Sequence, residues 1–296
     1  MYRLKKHEVW ASDVAQYLNS TLAGEDFLVA SPSSIMTAVS QCGPKPGGEG
    51  AKCLLLAEAA PAAVPDGTGV ILTENPDVAL AHVLLEFFAG AQLNEPHATA
   101  IISDEARVGR NVLVGAHSVI GPDVEIGDNT RIFSNVVING PVVIGKDCVI
   151  KEGAVIGSEG YGFVEDERGR LVHSPQFGRI IIGDRVWIGC NSTIERAMTK
   201  DTVIEDEAKV DDLVHIGNGS RVGRKSRVTA GALLAFDVTI GPETILAPNV
   251  SVRERVTIAG GITVGLGSVV INDLVEKGTY AGVPARRLGK KKTEES

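Results

Sequence analysis

The chain has 296 residues, of which 44% are apolar and 22% charged, so it can bury a core and is not disordered as a whole. Its net charge of −8 argues against a general nucleic-acid binder, and no apolar run approaches the ~18 to 20 residues of a membrane-spanning helix. Aromatic residues make up only 4%, so the core must be aliphatic. We therefore expect a soluble, cytoplasmic protein with no transmembrane segment.

The first 99 residues predict a small α/β domain. The elements expected in chain order are a helix capped by Ser12 and ended by Gly24, a surface loop over 43–50, short buried strands over 53–56 and 70–73, an apolar-striped helix over 77–88 after Asn75-Pro76, and a linker over 93–99. Helices and strands alternate here without a repeat, so this region is distinct from the remainder of the chain.

From Ile102 onward an aliphatic residue recurs every six positions. The repeat runs through three blocks: Ile102, Val108, Val114, Ile120, Ile126, Ile132, Ile138, Ile144, Ile150 and Ile156; Ile182, Ile188 and Ile194; then Ile204, Val210, Ile216, Val222, Val228, Leu234, Ile240, Leu246, Val252, Ile258, Val264 and Val270. A small or medium side chain usually stands four positions after each aliphatic residue, and Gly often follows it directly. Repetition this regular decides the fold class.

A period of six fits neither a helix nor a long flat strand, so the chain must turn every six residues. Three such turns make a triangular coil with the aliphatic residues inside, and we expect Gly to supply backbone angles that other residues avoid. The sequence thus predicts a mainly β protein with a parallel β-helix over 100–273, preceded by the α/β domain over 1–99 and followed by a closing segment and basic tail over 274–296. The period does not fix the handedness.

Two segments interrupt the repeat. Residues 157–179 form a long excursion and residues 197–202 a shorter one. Insertions in a regular rod map to one side and commonly build the binding surface.

Three motifs carry a family resemblance. They are Ile156-Gly-Ser-Glu-Gly-Tyr-Gly-Phe163, Pro175-Gln-Phe-Gly-Arg-Ile-Ile-Ile-Gly-Asp184 and Thr193-Ile-Glu-Arg196. With the repeat, they make the chain resemble the UDP-3-O-acylglucosamine N-acyltransferases of lipid A synthesis. The resemblance implies a left-handed β-helix, a homotrimer with active sites between neighbouring rods, and acyl transfer from a thioester to the amine of a nucleotide-linked amino sugar. It implies no metal and no permanently bound cofactor.

The family has two functional histidines, and this sequence has a different residue at each of the two positions. The family's base falls on Asn218, which cannot act as a base near neutral pH, and a second His falls on Arg255. We expect His215 to point outward and to serve as a substitute base. Asp211 or Asp212 would orient it and Asn218 would orient the substrate. The alternatives are that a substrate-held water takes the proton, or that His215 is an ordinary polar surface residue.

The resemblance also implies substrate contacts. The residues concerned are Tyr161, Gly162, Phe163, Gln176, Arg179, Glu195, Phe236 and Arg255. Phe236 stands where the family tends to have a small residue near the acyl groove, so we predict an acyl group shorter than that of lipid A. The region matching the uridine-contacting segment, residues 49–56, has no aromatic side chain to stack on a base. The nucleotide therefore stays open.

The closing segment resembles that of hexapeptide enzymes that use coenzyme A. The residues expected to contact the donor are Gly282, Val283, Pro284, Arg286 and Arg287, with further lysines in the tail. A solvated basic tail is the alternative. The relatives carry further helices that hold acyl carrier protein, so an end at Ser296 favours acyl-CoA without excluding a carrier protein.

Two functions remain open at this point. One is an N-acyltransferase for a nucleotide-linked amino sugar; the other is a trimeric binding or regulatory homologue that keeps the cleft but lacks the base. A carbonic-anhydrase-like rod would need three His ligands at one interface. The six scattered histidines do not supply that pattern.

Overall fold

The structure is a computed structural model and describes residues 9–24, 26–29, 32–37, 52–61, 66–90 and 95–288. The chain divides into two compact units, Met1–Leu93 and Asn94–Ser296. The sequence placed the end of the first domain at residue 99, a few residues later. The predicted loop over 43–50 lies outside the described residues.

The first unit contains a four-stranded sheet with mixed strand directions. In spatial order its strands are Leu22–Gly24, Thr68–Leu72, Cys53–Ala57 and Ile35–Thr37, with only the first pair antiparallel. A separate antiparallel pair joins Val9–Trp10 to Leu28–Val29. The two predicted strands are present with small shifts at their ends. Buried aliphatic side chains such as Leu54, Leu56 and Ile71 form the core.

The two helices of this unit are capped in different ways. The first helix, Ala11–Tyr17, is capped at Trp10, whose backbone N–H donates to Asp13 at 3.2 Å. The predicted Ser12 cap is therefore wrong, because Ser12 already lies in the first turn. The second helix, Pro76–Val83, starts as predicted: the Asn75 side chain accepts the Val78 N–H. It continues as a π-helical turn over Leu84–Phe88, and a short 3₁₀ turn spans Pro32–Ser34.

The second unit is the predicted parallel β-helix, built from three sheets. The nine strands of the first face are Ile101–Ile102, Val119–Ile120, Val137–Ile138, Val155–Glu159, Thr193–Arg196, His215–Ile216, Leu233–Leu234, Ser251–Val252 and Val269–Val270. The eight of the second face are Arg107–Val108, Val124–Ile126, Val142–Ile144, Ile180–Ile182, Thr202–Ile204, Arg221–Val222, Thr239–Ile240 and Thr257–Ile258. The ten of the third face are Leu113–Val114, Arg131–Ile132, Val149–Ile150, Trp187–Ile188, Lys209–Val210, Arg227–Val228, Ile245–Leu246, Thr263–Val264, Thr279–Ala281 and Arg286–Arg287.

The repeat residues point into the rod as predicted. Those from Val114 to Val270 are at most 4% exposed and stack on each other from coil to coil. Ile102 is only partly buried and Val108 is 36% exposed. Both lie in the first coil, which has a neighbouring coil on one side only, so less of their surface is covered.

The glycines after the aliphatic residues have a different role from the predicted one. They do not supply the unusual backbone angles: a side chain at Gly115 would instead place its Cβ 2.5 Å from the backbone of Phe133 in the next coil. The left-handed angles fall two positions later, on residues such as His117 and Asn135, both with φ of 60°. The Gly that directly follows the aliphatic residue therefore serves close stacking of the coils, while the corners are turned two positions later, in some coils by other glycines such as Gly153 and Gly219.

The last strand closes the rod by reversing direction. Thr279–Ala281 continues the third face in parallel, and Arg286–Arg287 then pairs with it antiparallel. Among the described residues, no helix is long and apolar enough to cross a membrane.

Candidate active site

Both interruptions of the repeat leave the rod at one corner, where the first face passes into the second. The long insertion, residues 157–179, begins within the strand Val155–Glu159, and the short one follows Thr193–Arg196, one coil further along. The two insertions contact each other, because the N–H groups of Phe177 and Gly178 donate to the carbonyls of Met198 and Ala197. We call this edge of the rod the site corner. Insertions mapping to one side were predicted from the repeat.

The long insertion carries an exposed antiparallel hairpin. Its strands are Phe163–Glu165 and Leu171–His173. The Phe163 ring lies between those of Tyr161 and His173, at centroid distances of 5.1 and 5.3 Å. Tyr161 is 84% exposed, so the expected substrate contacts of Tyr161 and Phe163 have an accessible surface.

Arg196 anchors this insertion to the rod. Its Nε donates to the Gly157 carbonyl at 2.7 Å and its Nη1 to the Gln176 carbonyl at 2.8 Å, at the start and near the end of the insertion. The side chain is only 15% exposed. Sequence reasoning quoted Arg196 in a motif without assigning it a role. The signal was available, since an Arg inside a strand beside an insertion needs carbonyl or carboxylate partners.

Arg179 ties the two insertions together. Its Nε and Nη2 donate to the two carboxylate oxygens of Asp201, at 3.2 and 2.9 Å. The same hydrogen bonds hold the pKa of Asp201 below its usual value. Arg179 was expected to contact substrate. Because its guanidinium already bonds a carboxylate, Arg179 links the long insertion to the short one in this structure.

Gln176 is buried beneath the hairpin. It is 2% exposed, and its Nε2 donates to the Ser174 carbonyl at 2.6 Å, while its Oε1 has no partner. A side chain at Gly162 would place its Cβ 2.8 Å from the same Nε2. Gly162 is thus required for space, and Gln176 supports the loop from below.

His215 faces outward on the first face, as predicted, and lies beside Glu195. Its Nδ1 is 2.8 Å from the Thr193 hydroxyl oxygen, and its Nε2 is 3.8 Å from Glu195 Oε2. His215 is the strand partner of Thr193, so the sheet register brings these side chains together. The carboxylate beside His215 is therefore Glu195, contributed by the neighbouring coil.

The expected orienting residues lie elsewhere. Asp211 accepts a hydrogen bond from the Ala230 N–H, and Asp212 bonds Lys151 at 3.2 Å. Both follow a strand of the third face, so they sit on a different corner of the triangle from Glu195. The prediction that Asp211 or Asp212 orients His215 is therefore replaced by orientation through Thr193 and Glu195.

Glu195 is a carboxyl group of the site whose pKa lies above its usual value. Its side chain is 20% exposed, and burial raises its pKa, although His215 and the N–H of Asn218 both favour the charged form. Because burial disfavours its charged form, this carboxylate would be stabilised by a ligand that is cationic or carries several N–H donors. It stands between the two residues that sequence analysis named as catalytic, His215 and Asn218.

Asn218 lies at the site corner, against the long insertion. A side chain at Gly160 would place its Cβ 2.7 Å from Asn218 Cβ, so the loop backbone presses directly on this residue. Phe236 occupies the equivalent corner position one coil further along. Its ring stacks under the guanidinium of Arg255 at 4.7 Å. Asn218, Phe236 and Arg255 thus continue one edge of the rod.

The closing segment lies at the other end of the first face. Gly282 receives a hydrogen bond from Val269 through its carbonyl and donates one to the Ser268 hydroxyl. The Arg287 side chain is paired with Glu276 at 2.5 Å, whereas the Arg286 guanidinium bonds only the neighbouring Ala285 carbonyl in the described part of the chain. Val283 is 73% exposed. Of the expected donor contacts, Arg286 is the cation without a carboxylate partner here.

Comparison with known proteins places this architecture. The bacterial transferase hexapeptide model matches residues 105–140 and 123–158, and the hexapeptide repeat model of succinyl-transferase matches 179–211. A UDP-3-O-acylglucosamine N-acyltransferase of Methylobacillus flagellatus is 41% identical over 72% of this chain and 66% of its own length. The chain belongs to the hexapeptide-repeat family of these acyltransferases.

Other members of the family agree. A probable UDP-3-O-acylglucosamine N-acyltransferase 2 of Arabidopsis thaliana is 40% identical over 46% of this chain. The chain spans 45% of that relative's length and 66% of the Methylobacillus one, so it matches only part of each. The solved UDP-N-acetylglucosamine acyltransferase of Francisella novicida superposes with a TM-score of 0.61 at 25% identity, covering 66% of this chain and 70% of its own. The hexapeptide rod is accordingly left-handed, as the resemblance implied.

Proposed function

We propose that this protein is an N-acyltransferase that moves an acyl group from acyl-CoA or acyl carrier protein to the amine of a nucleotide-linked amino sugar, in lipid A or envelope glycan synthesis. The observation that carries the proposal is the group formed by His215, Glu195 and Asn218 at the site corner. It combines a base, a mostly buried carboxylate and an amide where both insertions meet.

His215 is the proposed base. A nucleophilic amine must lose a proton as it attacks a thioester carbonyl, and an imidazole can accept that proton near neutral pH. Asn218 cannot act as a base, but its side-chain amide can donate to the oxyanion that forms on the acyl carbon. The two residues thereby divide the work of the missing family histidine.

The donor is proposed to lie along the first face. The outward residues that follow His215 from coil to coil are Leu233, Ser251 and Val269, and the last of these contacts Gly282 of the closing segment. Three coils separate the two ends, which is about 14 Å at the strand spacing of a parallel sheet. An extended thioester arm can span that distance, with Arg286 free to meet phosphate.

The assembly is proposed to be a cytoplasmic homotrimer, as the resemblance implied. Large apolar side chains at the site corner support this, since Tyr161 and Phe177 are 84% and 75% exposed in the isolated chain. Neighbouring rods would cover such residues and enclose the site.

A thiol-release assay tests the proposed activity. The protein is given acyl-CoAs of increasing chain length with UDP- and dTDP-linked amino sugars. We expect release of free thiol in the wild type and a loss of about 10² to 10⁴-fold in His215→Ala, the usual contribution of a general base. His82→Ala, on an exposed helix of the first unit, is the matched control and should keep full activity.

The same assay decides the alternative, a binding or regulatory homologue. The replacement of the family's histidines by Asn218 and Arg255 favours it. If the wild type is inert with every donor and acceptor, and Asn218→His gains turnover, the alternative replaces the proposal.

A further inference from the structure

A carboxylate oxygen and an imidazole nitrogen face each other at the site corner without bonding. Glu195 Oε2 and His215 Nε2 are 3.8 Å apart, which exceeds hydrogen-bond distance. The other ring nitrogen, Nδ1, is occupied by the Thr193 hydroxyl at 2.8 Å. When Nδ1 carries the proton and donates to Thr193, Nε2 presents a lone pair toward Glu195. The gap then lacks a donor.

A nitrogen with several N–H groups fits this gap. An atom about 2.9 Å from each acceptor, the usual N–H···O separation, can sit at the apex of a triangle whose base is the 3.8 Å between them. A primary amine has two N–H donors and its ammonium form has three, so it satisfies both acceptors together. With the ring proton on Nδ1, both Glu195 Oε2 and His215 Nε2 need a donor, and a hydroxyl, which has one donor, leaves one of them unsatisfied.

The surroundings of Glu195 fit the same ligand. Its side chain is mostly buried, and it accepts the N–H of Asn218. Across the strand pair, Leu233 follows His215 on the next coil and brings no charge. The cations nearest in the sequence are engaged: Arg196 bonds the carbonyls of the long insertion, and Lys200 pairs with Asp237. Glu195 is therefore the carboxylate available to an incoming amine.

We propose that Glu195 Oε2 and His215 Nε2 form an amine clamp, which holds the primary amino group of the acceptor and selects N-acylation over O-acylation. This inference rests on the proposed function and names its specificity determinant. The clamp also gives the proton a path. The amine, neutral after its ammonium form loses a proton to solvent, attacks the acyl carbon, and one N–H proton passes to His215 Nε2. The carbon–sulfur bond then breaks, and the departing thiolate takes that proton from His215.

Binding measured without an acyl donor tests the clamp separately from catalysis. The probes are pairs of nucleotide sugars that differ only in a 2-amino or a 2-hydroxyl group, UDP-glucosamine with UDP-glucose and the corresponding dTDP pair. We expect the wild type to bind one amino sugar at least tenfold more tightly than its hydroxyl partner. In Glu195→Gln that preference should disappear through weaker binding of the amino sugar alone. Glu125→Gln, an exposed glutamate at the start of the rod, is the control and should keep the preference.

A spectroscopic readout excludes a merely structural effect. The ¹⁵N signal of His215 Nε2 should shift when the amino sugar binds and stay in place with the hydroxyl sugar. Equal affinities within every pair, binding by none of the pairs, or an unchanged preference in a folded Glu195→Gln protein overturns the clamp. Preference in binding with no thiol release from any donor would leave the clamp standing and remove the proposed function. Thiol release with the amine preference intact in Glu195→Gln would do the reverse.

Discussion

At the scale of single residues, the site depends on positions that the repeat assigns to a face. The sequence predicted that His215 points outward, because it precedes the inward Ile216 in the strand. It did not identify Glu195 as its neighbour, since contact between coils depends on the insertion that shifts the register between them. Counting hexads would have separated Asp211 from His215, because Asp211 follows a strand of the third face whereas His215 lies in a strand of the first face.

The mostly buried carboxyl group of Glu195 leads to a prediction about how the stability of the protein depends on pH. Burial raises the pKa of Glu195, so the folded protein binds its proton over a pH range in which the unfolded chain, with a pKa of about 4.3, has already lost it. The free energy of unfolding therefore falls as pH rises through that window. Glu195→Gln should remove this fall and be the more stable protein at neutral pH, as measured by urea unfolding across the window. A slope identical to that of wild type would contradict the argument, and Glu125→Gln supplies the control.

Phe236 makes a prediction about donor length. Its ring stacks on Arg255 and fills space at the site corner one coil beyond Asn218. In Phe236→Ala the freed volume should admit longer chains, and kcat/KM for long acyl-CoAs should rise roughly tenfold relative to short ones. Arg255→Gln keeps the ring and should leave the length profile unchanged. A preference for a fourteen-carbon donor in the wild type would refute the role of Phe236.

At the scale of elements, local signals predicted well where they were simple. Asn75 and Pro76 marked the start of a helix correctly, because an Asn cap and a Pro in the first turn act within a few residues. Ser12 gave a wrong prediction of the cap. Asp13 accepts a hydrogen bond from the Trp10 N–H, so the cap is Trp10 and the helix starts earlier in the chain, at Ala11. The insertions were located by the broken repeat, but their hairpin and their anchors depend on contacts with other coils that periodicity does not contain.

Arg196 makes a prediction about the long insertion. Replacing it with Met removes two charge-assisted hydrogen bonds and leaves the carbonyls of Gly157 and Gln176 without these donors. We expect a loss of about 3 kcal/mol in unfolding free energy and faster tryptic cleavage at Arg168 in the hairpin turn. The exposed ion pair of Arg107 provides the control, since Arg107→Met should cost less than about 1 kcal/mol. Unchanged cleavage in Arg196→Met would show that the insertion is held by other contacts.

At the scale of the whole molecule, the repeat predicted the rod because every coil obeys the same constraint. An aliphatic side chain every six residues has one stable arrangement, a triangular coil that stacks on itself. The handedness came from the comparison with solved structures, since a period alone is the same in a coil and its mirror image. The stacking role of glycines such as Gly115 became visible only with the neighbouring coil in place.

Stacking also makes a prediction about where the rod is sensitive. Ile188 is fully buried in the middle of the rod, and Ile188→Ala should cost about 2 to 5 kcal/mol. Ile102 lies in the first coil and is partly buried, so Ile102→Ala should cost distinctly less. Urea unfolding of the two variants compares the costs directly. Equal losses would mean that burial in the coil stack does not set local stability.

The reversed strand Arg286–Arg287 has a consequence for self-association. The strands of the third face that precede it all pair in parallel with one another. An uncovered parallel edge at the end of the rod could therefore pair with the first strand of another rod and extend the sheet end to end. The reversal covers the edge of Thr279–Ala281 with a chain running the opposite way. The reversed strand thereby prevents edge-to-edge polymerisation of the rods. A protein truncated after residue 278 should expose Thr263–Val264 and form fibres or oligomers detectable by light scattering, while the intact chain stays dispersed.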